Sequence, residues 1–174
     1  RLQAGDELVI QPGTHTVDVP FTIPDAVDMH GEEGSPRPVV NISGFTVGIT
    51  VPAGGRLADL ELAVHRANLS PVPTTGVRVA AGAVAERLEI LTTDPDGATG
   101  ADVAGTLRDS IVRSQAPNGS VAVTVTGSPT VLRNVTAVAA GGSLSSAGLI
   151  VSSLATPVSV DAANSIFRQA SPAR

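Results

Sequence analysis

Cysteine, lysine, tryptophan and tyrosine are all absent from this chain of 174 residues. Without cysteine there is no disulfide framework and no thiolate metal site. Without lysine there is no amine nucleophile, no Schiff base and no P-loop. The aromatic residues reduce to Phe21, Phe45 and Phe167, 2% of the chain. That excludes a core of interdigitated rings, and it removes the amphipathic ring faces on which sugar-binding grooves usually rely. Charged residues make up only 16%, and the net charge is −5, so the basic footprint of a nucleic-acid binder is missing. No apolar run approaches the ~20 residues of a spanning helix, so no membrane insertion is expected. The chain opens at Arg1 with RLQAGDELVI, without a secretory signal pattern, and reads as a piece of a longer protein.

What is abundant is Val, Ala, Leu and Ile, within a hydrophobic share of 42%, punctuated by 18 glycines and 13 prolines. These residues fall into a degenerate repeat. A short alternating apolar run leads into a small-residue turn, and a second apolar run follows a Asp, Arg or Asn. The copies are VGITVPAGGRLADLEL from Val47, VRVAAGAVAERLEI from Val77, ADVAGTLRDSIV from Ala101, VAVTVTGSPTVLRNVTAV from Val121 and LIVSSLATPVSVDAANSIF from Leu149. Self-similarity at this period marks a solenoid.

Aligned on the second run, Asp59, Arg87, Asp109, Asn134 and Asn164 fall in one column, spaced by 28, 22, 25 and 30 residues. Asn and Asp tolerate left-handed backbone, so the column reads as a repeated bend. The first-run column pairs Val47/Ile49, Val77/Val79, Ala101/Val103, Val121/Val123 and Leu149/Val151, whose alternation sends them to one inner face. Gly48/Thr50, Arg78/Ala80, Asp102/Ala104, Ala122/Thr124 and Ile150/Ser152 then point outward. Uneven spacing is taken up by inserts, the longest at His65–Thr75 and Thr92–Gly100. Before the repeats, LVI (Leu8 to Ile10), FTI (Phe21 to Ile23), VDM (Val27 to Met29) and VVNI (Val39 to Ile42) read as strands between Gly- and Pro-bearing turns. The Ala-rich stretch Ala80 to Ile90 is read as turn and strand, because its repeat slot elsewhere holds TGSPT and ATPVS.

The phrase GDELVIQPGTHTVDVPFTIPDAVDMHG resembles the usual first coil of the right-handed parallel β-helix, pectin-lyase-like superfamily, with His15 where that family often has Tyr. LRNVTAV and AANSIFR resemble its Asn-bearing coil turns. The resemblance spans nearly the whole chain. It implies one all-β domain over residues 1–174, a right-handed parallel β-helix solenoid of about six or seven coils, truncated at both ends. It also implies a secreted or cell-surface protein, and the Lys-free, Ala/Val/Arg-rich composition suggests a bacterial source.

Functional candidates are few. Arg78 and Asp102 should neighbour each other on adjacent coils, as an exposed salt bridge or, in an enzyme, a general base beside a carboxylate. Asp94 and Asp96 in TTDPDGATGAD offer oxygen ligands and a Gly turn for calcium, although the same Asp-Pro-Asp-Gly is a plain turn sequence. Glu61 and Glu89 should stack on adjacent coils. His15, His30 and His65 lack second ligands at metal spacing. The expected role is therefore a non-catalytic, rod-like module that contacts polysaccharide or another cell-surface component. Its open strand edges invite end-to-end self-association. The alternative is a polysaccharide lyase or glycoside hydrolase acting on acidic polysaccharide.

Overall fold

The computed structural model describes residues 2–18, 21–44, 46–66, 72–141, 146–152 and 157–170. The chain winds in repeated turns of short strands. The first winding carries β1 (Glu7–Ile10), β2 (Thr14–Val17) and β3 (Phe21–Thr22), and the second β4 (Asp28–Gly31), β5 (Val39–Ser43) and β6 (Val47–Val51). The third carries β7 (Arg56–Ala58), β8 (Glu61–His65) and β9 (Thr74–Val79), and the fourth β10 (Val84–Glu86), β11 (Glu89–Thr93) and β12 (Ala98–Val103). Then come β13 (Thr106–Arg108), β14 (Ile111–Ala116) and β15 (Ser120–Val125), followed by β16 (Thr130–Arg133), β17 (Thr136–Gly141) and β18 (Ser146–Val151). The chain ends with β19 (Val160–Ala163) and β20 (Ile166–Ala170). Among the described residues there is no helix.

The first, second and third strands of successive windings build sheets A, B and C, seven, seven and six strands deep. Pairing is parallel throughout, so the fold is all-β, a parallel β-solenoid. Stacking at about 4.8 Å places each residue over its counterpart in the next winding. The inner columns are aliphatic. Met29, Leu57, Ala85, Leu107 and Leu132 stack on sheet A. Val40, Leu62, Ile90, Val112 and Ala137 stack on sheet B. All ten are at most 4% exposed, in one continuous core.

The corner between sheets A and B is the bend read from the sequence. Asp59, Arg87, Asp109, Asn134 and Asn164 all have positive φ, between 50° and 58°. The next residue turns inward: Leu60, Leu88 and Val135 are buried. Where serine replaces the aliphatic residue, its hydroxyl links windings. Ser110 Oγ donates to the Arg108 carbonyl (2.7 Å) and accepts from the Leu88 amide (3.1 Å). Ser165 does the same between Ala163 and Val135.

Two expectations are corrected. In sheet C, Ile49 stacks on Val77, Ala101 on Val77, Val123 on Ala101 and Leu149 on Val123. The first and fourth copies are therefore displaced by two residues from the alignment on Val47 and Val121. The outward placement of Gly48 and Ala122 also fails, since both are buried. The physical reason is a break in alternation. Gly48 and Ile49 are both buried, as are Gly100 and Ala101. A Cβ on Gly48, Gly76 or Gly100 would lie 2.5–2.6 Å from the carbonyl oxygen of the small residue above it. Glycine at this level lets the strand turn inward without a clash. Thr50, Arg78, Asp102, Thr124 and Ile150 do form one outward column. Thr14–Val17, not read as a strand from the sequence, forms β2 and pairs with β5, placing His15 beside the buried Val40. Part of the His65–Thr75 insert, residues 67–71, lies outside the described residues, as does Phe45.

Two substitutions test this packing by chemical denaturation. Gly100→Ala drives a methyl to 2.3 Å from Val112 Cγ1 and 2.6 Å from the Ala122 carbonyl, and is expected to cost about 1–3 kcal/mol. Thr92→Val should have the opposite sign. The Thr92 hydroxyl is buried without a hydrogen-bond partner among the described residues, and Val64 fills the same slot one winding below. Replacing that hydroxyl by a methyl is expected to raise stability by about 1 kcal/mol.

Candidate functional site

Sheet A has short strands of three or four residues, and its outer face collects the charge. Glu7 stacks on Asp28 and Asp28 on Arg56 in one outward column. In the other column Ala58 stacks on Glu86, Glu86 on Arg108 and Arg108 on Arg133. Long side chains from the two columns meet diagonally. The Glu86 carboxylate is the centre, with its side chain only 2% exposed. Its Oε1 accepts from Arg56 Nε (2.9 Å) and Nη2 (2.6 Å) and from Arg87 Nη1 (2.8 Å), and its Oε2 accepts from Arg108.

The network extends in both directions. Arg56 Nη1 also donates to both Asp28 oxygens, at 2.7 and 2.8 Å. Arg87 holds Asp59 bidentately, with both contacts at 2.7 Å. That fork offsets the cost of placing an arginine in left-handed backbone, about 1 kcal/mol or more. Further along the rod Arg133 pairs with Asp161, and Asn134 donates to Asp109 at 2.7 Å. Burial alone would push the Glu86 pKa up, but the hydrogen bonds and charges of Arg56, Arg108 and Arg87 outweigh it, and the pKa falls below the usual carboxylate value. Asp59 is lowered chiefly by its hydrogen bonds from Arg87.

A loop at residues 32–38 overhangs this face. Ser35 closes it, donating its amide to the Glu32 carbonyl (3.3 Å) and its hydroxyl to the Glu32 carboxylate (3.0 Å). The loop sits tightly on the corner: a Cβ on Gly31 would lie 2.4 Å from the Asp59 carbonyl and 2.7 Å from Pro38 Cδ. Loop and sheet enclose a cleft of about 530 Å³, lined by Glu7, Asp28, His30, Glu32, Glu33, Ser35, Arg37, Arg56, Asp59 and Arg87. Arg37 holds no carboxylate among the described residues, and its charge reaches Asp59 through space.

The candidates read from the sequence lie elsewhere. Arg78 and Asp102 do meet, with Nε 3.2 Å from Oδ2, on the outer face of sheet C. The other Asp102 oxygen accepts from the Thr126 hydroxyl at 2.6 Å. Asp94 is buried under the corner between sheets B and C. Its Oδ2 takes Arg66 Nη2 (2.9 Å) and the Thr74 hydroxyl, and its Oδ1 takes the amides of Asp96 (2.8 Å) and Gly97 (3.4 Å). Asp-Pro-Asp-Gly is thus a side-chain-closed turn, with the Asp94 acceptors filled from inside the protein. No group of three His, Cys, Asp or Glu side chains suited to a metal ion occurs among the described residues. Glu61 and Glu89 are stacked as expected, and Arg113 neutralises Glu89.

Sequence reading missed the Glu86 centre. It places Arg87 in the bend column and does not single out Arg56, Glu86 or Arg108 as its partners. The available signal was charge of alternating sign at corresponding places in RLAD, AERL and LRDS. No family model, no curated protein and no solved structure matches this chain.

Glu86→Gln should destabilise the fold by about 2–3 kcal/mol, less than for a fully buried pair because the three guanidinium groups still touch water. The lowered pKa of Glu86 makes its contribution present above the unfolded carboxylate value, near pH ~4.3, and lost as the pH falls through the folded value. Acid unfolding followed by circular dichroism should therefore show a shallower pH dependence in Glu86→Gln than in the parent chain.

Proposed function

We propose that this chain is a non-catalytic, rod-like module of an exported or cell-surface bacterial protein, built as a pectin-lyase-like β-helix, and acting as a scaffold, adhesion surface or glycan contact. One observation carries the reading. The guanidinium groups of Arg56, Arg87, Arg108 and Arg133 on the charged face are each bonded to a carboxylate. Most of these bonds run from one winding to the next, so the charges hold the stack together. Catalysis needs an acid or base whose proton can move to substrate. Here the buried Glu86 carboxylate is held ionised by three arginines, the opposite of a group poised near neutrality.

The acidic-polysaccharide enzyme is the weaker reading on the same grounds. Arg78 is bonded to the carboxylate beside it, and an arginine stays charged throughout the working pH range. The cleft on sheet A offers five carboxylates against three arginines, a lining that opposes a polyanionic chain.

Incubation with polygalacturonate, alginate and related uronides separates the two. The expected result is no unsaturated product and no new reducing ends. Release of either by the purified chain, abolished in Asp102→Asn, would replace the scaffold with a lyase or hydrolase.

A further inference from the structure

The ion pairs found among the described residues share one cation, the guanidinium of arginine, with a single exception. Arginine keeps its charge at any pH at which the protein folds, so those joints do not respond to neutral pH. The exception lies at the first joint, between β1 and β4. His30 Nε2 is 2.7 Å from Glu7 Oε1, and His30 Nδ1 is 2.7 Å from the Gly31 carbonyl oxygen. A carbonyl only accepts, and so does an ionised carboxylate. A neutral imidazole has one N–H and can satisfy one of them. The imidazolium satisfies both.

The surrounding charges favour the same state. Glu7 lies in register with Asp28, so two carboxylates stack, an unfavourable pairing unless a cation joins it. From β7, Arg56 neutralises Asp28 but is shared with Glu86 on β10. Glu7 is left with His30. The overhanging loop brings Glu32, Glu33 and Arg37 to the same cleft, and the corner beyond β7 and β10 adds Asp59 and Arg87. Burial of the ring opposes its charging. The hydrogen bonds to Gly31 and Glu7 and the charges of Asp28 and Glu7 outweigh that, and the His30 pKa lies above its ordinary value.

We propose that the His30–Glu7 pair is a protonation latch, which clamps the first winding to the second while the imidazole is charged and loosens it on deprotonation. A raised folded pKa gives a contribution that is complete below the unfolded value, near pH ~6.5. It is lost as the pH rises through the folded value. On the inner side of the latch is an apolar cleft of about 380 Å³, open to solvent, with Leu8, Ile10, Phe21 and Met29 in its wall. Loosening β1 withdraws Leu8 and Ile10 from that wall.

The test is amide hydrogen exchange, corrected for intrinsic rates, together with an NMR titration of His30. Protection of the amides bridging β1 and β4 should fall roughly threefold or more between about pH 5 and about pH 8.5, while β11 stays constant. Glu7→Gln, at a side chain 64% exposed, should retain the fold, lower the His30 pKa and flatten the β1 response. His30→Gln should flatten it too. Protection at β1 that ignores pH in the parent chain would overturn the latch, as would an unchanged slope in both variants or a His30 pKa below that of a free histidine.

Discussion

The parallel hydrogen-bond ladder is the constraint from which the rest of this structure follows. It sets windings about 4.8 Å apart and leaves each side chain facing its counterparts above and below. Inside, that spacing demands residues that pack against copies of themselves, and branched aliphatics do so without unsatisfied polar atoms. At the corner it demands a residue that tolerates positive φ, repeated once per winding. Outside, it would stack like charges unless their sign alternates. The aliphatic columns, the Asp/Asn corner and the Arg–carboxylate lattice are three answers to one geometric condition.

Legibility from the sequence differed among these answers because their chemistry differs in redundancy. The corner could be read because Asn and Asp are favoured in left-handed backbone on local grounds alone, and Asp59, Asp109, Asn134 and Asn164 all conform. The register of sheet C was harder. Val47, Ile49 and Val51 alternate over more positions than the stack uses, so hydrophobicity allows a slip of two residues. The small-residue level at Gly48, Gly76, Gly100, Ala122 and Gly148 removes that ambiguity, since a Cβ on Gly48, Gly76 or Gly100 would meet the backbone of the next winding. The Glu86 network is harder to read for another reason. Arg56 sits in one outward column and Glu86 and Arg108 in the other, so the Arg56–Glu86 bond runs diagonally and no single aligned column displays the whole network. The cleft depends on the loop at 32–38, an insertion present in one winding, which a repeat alignment discards.

The charged face also bears on what the molecule can do. Single exposed ion pairs contribute about 0–1 kcal/mol, so the peripheral pairs are not a large source of stability. Their physical effect is on register. Sliding β7 against β10 so that Ala58 faces Val84 would carry Arg56 away from Glu86 and leave a buried carboxylate short of a partner. An alternation that fixes register this way ties up the ionisable groups that reaction chemistry would need free. A rigid stack and a reactive surface make competing demands on the same side chains, and on sheet A those of Arg56, Glu86, Arg87 and Arg108 are bonded to one another.

Position along the rod then decides which small energies matter. In a solenoid each winding contacts only its neighbours, and among the described residues the first winding pairs with the second alone. Its β1 and β2 have no fully buried residue, and a polar ring, His15, stands in register with the buried Val40. Opening there exposes little of the interior, so it belongs to the low-energy end of local unfolding. A hydrogen-bonded histidine in the middle of the stack would be masked by core packing above and below it. The same bond at His30 spans a joint whose β1 side has no fully buried residue, where a change of one proton can alter how tightly the two windings are closed.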